Sequence, residues 1–126
     1  NFGNTMDDYH NFTGSVYITG SSHTIAGTVN ITGSVYGTAF YETSDIRFKD
    51  IISTNPEIDL STLNVIQFTF KGDNQVRYGY PAQEVKDLCG DLVVGDNPLT
   101  INYSDLHTLK IHQLENKIKQ LEKDDI

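Results

Sequence analysis

A serine hydroxyl and a lysine amine stand five residues apart in Thr43-Ser44-Asp45-Ile46-Arg47-Phe48-Lys49. A hydroxyl is inert until a base takes its proton, and lysine serves as that base near neutral pH only when burial or a neighbouring cation lowers its pKa. Ser44 is therefore the candidate nucleophile, Lys49 its candidate base and Arg47 the candidate cation. On a straight strand, groups five residues apart would be separated by roughly 17 Å and would point to opposite faces. The pair is useful only if this segment bends or if a folded oligomer brings the groups together; otherwise it is a surface serine and a solvated lysine. The remaining chemistry-bearing residues are less suggestive. Cys89 lies among Val85, Leu88 and Leu92 and reads as a small core residue rather than a nucleophile. His107 and His112, five apart on a helical stretch, face differently and make a poor metal pair. No metal or other cofactor is expected.

The elements that must position this segment differ on its two sides. Of the first 43 residues, 18 are Gly, Ser or Thr, none is Lys, Arg or Leu, and all nine basic residues come later. The opening nine or so residues carry no clear period. A repeat follows, in which Thr13-Gly14-Ser15-Val16-Tyr17-Ile18-Thr19-Gly20 returns as Ala26-Gly27-Thr28-Val29-Asn30-Ile31-Thr32-Gly33 and begins again at Thr32-Gly33-Ser34-Val35-Tyr36-Gly37. Val16 and Ile18, then Val29 and Ile31, alternate with polar or aromatic residues, the period of half-buried strands. Each unit is expected to be a short strand with a glycine corner. Such a unit cannot bury its apolar face alone, so residues 1–43 read as the end of a β-rich stem, solenoid-like or intertwined with partner chains. A flexible linker is the competing reading.

Beyond residue 43 the texture is globular. Residues 47–52 read as a strand, Asn55-Pro56 as a loop, and Asp59 or Ser61 as the cap of a short turn before Leu63. Residues 65–70 and 76–80 flank Gly72-Asp73-Asn74, a hairpin signal. Pro81 fits the first position of a helix carrying Val85, Leu88 and Cys89, with Gly90 as its stop. A strand at Leu92-Val93-Val94 and a turn at Gly95-Asp96-Asn97-Pro98 follow. Residues 44–103 are thus expected to form a small, mostly antiparallel α+β domain.

Residues 104–126 read as helix to the end. Ile111, Leu114, Ile118 and Leu121 occupy heptad positions a and d, with Lys110 opposite Glu115 and Lys117 opposite Glu122 at g and e, as a coiled coil requires. Two heptads are too few to associate unaided. Ile at a with Leu at d favours two strands.

Length and charge bound the function. At 126 residues, three such segments leave each with a thin core, so oligomer contacts are expected to supply the rest. A net charge of −8 disfavours nucleic acid and anionic membrane surfaces as partners. No apolar run approaches the length of a membrane span, and the chain reads as a soluble protein or a fragment of one.

With these pieces placed, residues 43–121 resemble the C-terminal intramolecular chaperone domains of bacteriophage tailspikes, tail fibres and neck appendages, also found in the myelin regulatory factor. The resemblance rests on Ser44-Asp45-x-Arg47-x-Lys49 followed by Asp50-Ile51-Ile52, on Gly79-Tyr80-Pro81-Ala82-Gln83-Glu84-Val85 behind a Phe-x-Phe strand, and on Asn102-Tyr103-Ser104 opening the last helix. Phe48 stands where such domains usually carry Leu, and Pro81 where a small aliphatic residue is common. The resemblance implies a homotrimer that folds the upstream stem of the same polypeptide and then cuts itself between Thr43 and Ser44, with Ser44 as nucleophile and Lys49 as base. It implies a stem in the virion tail and a chaperone acting in the host cytoplasm during assembly. Asp45, Arg47, Gln83 and Glu84 would be supporting motif residues, although a glutamate at a helix start is favoured by the dipole in any case. Some relatives bind nucleotide; this chain has no Gly-rich phosphate loop. A structural trimerisation cap that stays attached is the alternative function.

Overall fold

Leu60, Leu63, Val85, Leu92 and Leu106 are the buried apolar residues around which the second half of the chain closes, with Ile58, Tyr80, Cys89, Val93, Ile101 and Leu109 packed against them. The buried residues come from loops and helices, and strands join them only through Val93 and Ile101, so no element buries a whole face. The chain divides into two compact units, Asn1–Ser44 and Asp45–Ile126. A computed structural model describes residues 9–125.

Unit Asp45–Ile126 is α+β, with two antiparallel two-stranded sheets and two α-helices. Strand β1 (Ile66–Phe68) pairs with β2 (Arg77–Gly79) in the register Ile66 with Gly79 and Phe68 with Arg77. Their connection is shaped by Asp73, whose N–H donates to the Phe70 carbonyl (2.9 Å) and whose carboxylate accepts the Gln75 N–H (3.0 Å). The hairpin expected over residues 65–80 is therefore present with shorter strands. Helix α1 (Ala82–Leu88) follows at once, with Pro81 as its N-cap rather than its first residue and Val85 as its buried anchor. A 3-10 turn, Gly90–Leu92, leads into β3 (Val93–Gly95), which pairs with β4 (Leu99–Ile101). Strand β4 has no counterpart in the sequence reading. Its three residues Leu99-Thr100-Ile101 are too short to show a period, and pairing with β3 defines them.

Helix α2 (Tyr103–Asp124) begins where Asn102 accepts the Asp105 N–H (3.1 Å) and donates its amide to the Asp105 carboxylate (2.9 Å), a reciprocal cap that satisfies an otherwise orphan donor. The first half of α2 belongs to the core through Leu106 and Leu109. Gln113 then holds the loop before it. Its side-chain oxygen accepts the Leu60 N–H (3.0 Å) while its amide donates to Asp59 (2.8 Å). Asp59, rather than Ser61, shapes the turn before Leu63, accepting both the Ser61 N–H (2.9 Å) and hydroxyl (2.6 Å). Those bonds, the Ser61 hydroxyl first, hold the Asp59 carboxyl down at a pKa of about 2.

The second half of α2 has no partner surface in the single chain: Ile111, Leu114, Ile118 and Leu121 are each between 54 and 58% exposed. Lys110, expected to face Glu115 of a neighbouring helix, turns to its own chain instead. Its ammonium donates to the Leu60 carbonyl (3.3 Å) and sits 5.1 Å from the centre of the Tyr80 ring. A half-buried lysine stem with two local acceptors of its charge has no reason to reach outward.

Within unit Asn1–Ser44 the described residues from 9 onward form no regular strand, and Val16, Ile18, Val29 and Ile31 are exposed. A lone strand has no ladder to join, so the expected half-buried strands are not formed by one chain. The corners are present nonetheless: Gly14, Gly20, Gly27 and Gly33 all have positive φ, between 84° and 151°, where a β-carbon is disfavoured. The aperiodic opening at residues 1–8 lies outside the described residues. Among the described residues no helix is long and apolar enough to cross a membrane, and no group of three His, Cys, Asp or Glu could hold a metal ion.

Candidate functional site

The serine-lysine segment turns instead of extending. Residues 47–52 read as a strand in the sequence, but Ile46–Phe48 form a single 3-10 turn. The reason lies in Asp45. Its carboxylate accepts the Arg47 N–H (3.0 Å) and so caps the turn, while its carbonyl accepts the Phe48 N–H (3.1 Å). The Lys49 N–H then closes on the Ile46 carbonyl (3.1 Å). A 3-10 turn rises only about 2 Å per residue against roughly 3.3 Å for a strand, so the path to Lys49 is shortened.

Arg47 is not placed as the cation that would act on Lys49. Its guanidinium forks back onto Asp45, with Nε 3.1 Å from both carboxylate oxygens and Nη2 2.7 Å from Oδ2. The pair is mutual: the Arg47 side chain, then its N–H, holds the Asp45 carboxyl below its ordinary range, and Asp45 raises Arg47. Two of the supporting motif residues thus neutralise each other and build the turn. Their work is conformational. Lys49 and Ser44 are both exposed in the single chain, and Ser44 is the last residue of the preceding unit.

The second and third motif blocks meet. The Tyr80 N–H donates to the Tyr103 hydroxyl (3.0 Å), joining Gly79-Tyr80-Pro81 to Asn102-Tyr103-Ser104 across 23 residues. Gly79 is buried beneath that hydroxyl, and a β-carbon there would collide with it and touch the Phe68 ring at 3.5 Å. Sequence reasoning marked both blocks without showing that they touch. The only signal available was a glycine directly before an aromatic residue in one block and a tyrosine in the other.

Gln83 and Glu84 stand exposed in the first turn of α1, where Pro81 offers no side-chain cap. Glu84 at that place is favoured by the helix dipole. Gln83 borders an open groove of about 620 Å³ between β1, the start of α1 and the β3–β4 turn, walled by Phe68, Phe70, Pro98 and Leu99 with Asp96 on its rim. Lys49 does not line this groove. The structure therefore joins Asp45 with Arg47 and Tyr80 with Tyr103. Compared with family models, with curated proteins and with solved structures, the chain finds no match.

Proposed function

We propose that this chain is a self-cleaving intramolecular chaperone: it trimerises, brings the stem of the same polypeptide into register, and cuts the bond between Thr43 and Ser44. The observation that carries this reading is a coincidence of position. The composition break, the start of the Ser-Asp-x-Arg-x-Lys motif and the boundary between two compact units all fall within residues 43–45. The capped turn at Asp45 supports it further, because it shortens the chain between Asp45 and the candidate base Lys49.

The chemistry is an acyl shift followed by hydrolysis. The Ser44 oxygen attacks the Thr43 carbonyl carbon, and Lys49, neutral at that moment, accepts the hydroxyl proton and returns it to the departing amide nitrogen. An ester then joins Thr43 to the Ser44 oxygen, and the Ser44 amine is free. Water cleaves that ester, releasing the Thr43 carboxylate and restoring the hydroxyl. Denatured or monomeric chains should not cut, because nothing in them covers the pair. Mass spectrometry of the folded full chain tests this: wild type should give residues 1–43 and 44–126, and Ser44→Ala only the intact chain. An intact wild-type chain after days of incubation leaves the second reading, a trimerisation cap that stays attached. That reading has its own support in the exposure of both Ser44 and Lys49 in the single chain.

A further inference from the structure

The segment that holds the candidate base also carries apolar side chains with no seat in their own chain. Phe48 is 81% exposed and Ile52 fully so, and Ile46 and Ile51 are exposed beside them. In the same unit, the groove walled by Phe68, Phe70, Pro98 and Leu99 is open. Phe68 and Phe70 meet edge to face with ring centres 5.3 Å apart, so the two rings brace each other along the groove. Its volume of about 620 Å³ falls in the range of cavities that enclose a sizeable ligand, enough for a few large side chains.

Three-fold symmetry adds a requirement. A two-fold dimer can use one patch against itself, whereas a ring of three is built from heterologous contacts, so every copy must present two different patches that fit each other. An exposed apolar segment and an open apolar groove on one unit satisfy this condition. The charges are complementary, since Asp96 borders the groove and the segment, with Arg47, Lys49 and Asp50, carries a net charge of about +1.

We propose that residues 46–52 of one copy seat in the Phe68, Phe70, Pro98 and Leu99 groove of a second copy, so that each copy clamps the next one's cleavage segment. The proposal rests on the trimer reading above and deepens it: the covering that Lys49 lacks in one chain comes from the neighbour, and cutting waits for assembly for that reason. It also places Gln83, which lines the groove, beside the next copy's segment.

Cross-linking tests it in the full chain. Two variants are made, Ile52→Cys and Asn97→Cys, each also carrying Ser44→Ala to keep chains uncut and Cys89→Ala to remove the native thiol. Ile52 and Asn97 are exposed, so folding is not at stake. Refolded together and oxidised, they should yield a disulfide-linked pair of one chain of each kind, which neither variant gives alone. A disulfide needs α-carbons within about 7 Å, so the bond reports the seating itself. Phe48→Cys paired with Asn97→Cys serves as the second test of the same contact. If light scattering shows a trimer and neither mixture cross-links, the seating is wrong while the trimer stands. A monomer or dimer mass overturns both.

Discussion

Gly79 and Tyr103 offer a perturbation whose size can be worked from geometry. A β-carbon at Gly79 would overlap the Tyr103 hydroxyl and lie 3.3 Å from the ring carbon that bears it, with the Phe68 ring at 3.5 Å. Overpacking of this kind costs about 1–3 kcal/mol, and here the obstructing atom is held in place by the Tyr80 N–H, so Gly79→Ala should fall near the upper end. Tyr103→Phe deletes the acceptor and leaves a backbone donor to find water, a loss of about 1 kcal/mol. The two changes share an atom and should not add. In the double variant the hydroxyl is gone, and only the 3.3 Å approach to the ring remains. The pair should therefore cost about 1 kcal/mol less than the sum of the single changes, a coupling typical of touching residues. Urea unfolding followed by circular dichroism measures it, at one fixed protein concentration because association would make the midpoint concentration-dependent. Additive costs, or a Gly79→Ala variant as stable as wild type, would refute the contact.

Asp59 sets an acid limit. Its folded pKa of about 2 lies below the ordinary 3.8, so its contribution is fully present above pH 3.8 and is lost as pH falls from there toward 2. Asp59→Asn should flatten the melting temperature over that window and leave the acid limb of wild type steeper. Leu106→Ala removes a fully buried anchor between α2 and the rest of the unit and should cost about 2–5 kcal/mol, read from the same urea curves. On the proposed chemistry, Lys49→Ala should slow cutting by about 10²- to 10⁴-fold and leak slowly, whereas Ser44→Ala should not cut at all, as judged by the mass of the chain over days.

The parts of this fold that were legible beforehand were those governed by local chemistry. The glycine corners, the 65–80 hairpin, the helix following Pro81 and the long last helix all depend on residues a few positions apart. The Arg47 turn was missed although its contacts are just as local. Arg47 to Ile52, with Phe48, Ile51 and Ile52, reads as a strand, but a strand needs a neighbour, and Asp45 offers the backbone a cap instead. Strand β4 was missed because its pairing with β3 defines it. Lys110 was misplaced because heptad spacing says nothing of Tyr80 and Leu60, 30 and 50 residues away in sequence. Of the candidate site, the residue types were legible and their partners were not. Arg47 looked like a cation for Lys49 and proved to be the partner of Asp45.

How the helix is anchored bears on when a cut can occur. Leu106, Leu109, Lys110 and Gln113 fasten the first half of α2 to the unit, so the stripe from Ile111 to Leu121 extends from a fixed platform rather than a free helix. Two heptads associate weakly alone, but a stripe already ordered by its own domain loses less entropy on meeting its partners. On the proposed reading, domain folding must therefore precede helix association, and association must precede the ordering of stem strands that have no ladder in a single chain. The Asp45 turn closes through contacts within residues 45–49, so it can form early, while the covering of Lys49 arrives only with neighbours. On that reading, cleavage comes last. A stem released at that point has already been brought into register, and its persistence afterwards depends on the barrier to unfolding rather than on the chaperone that is gone.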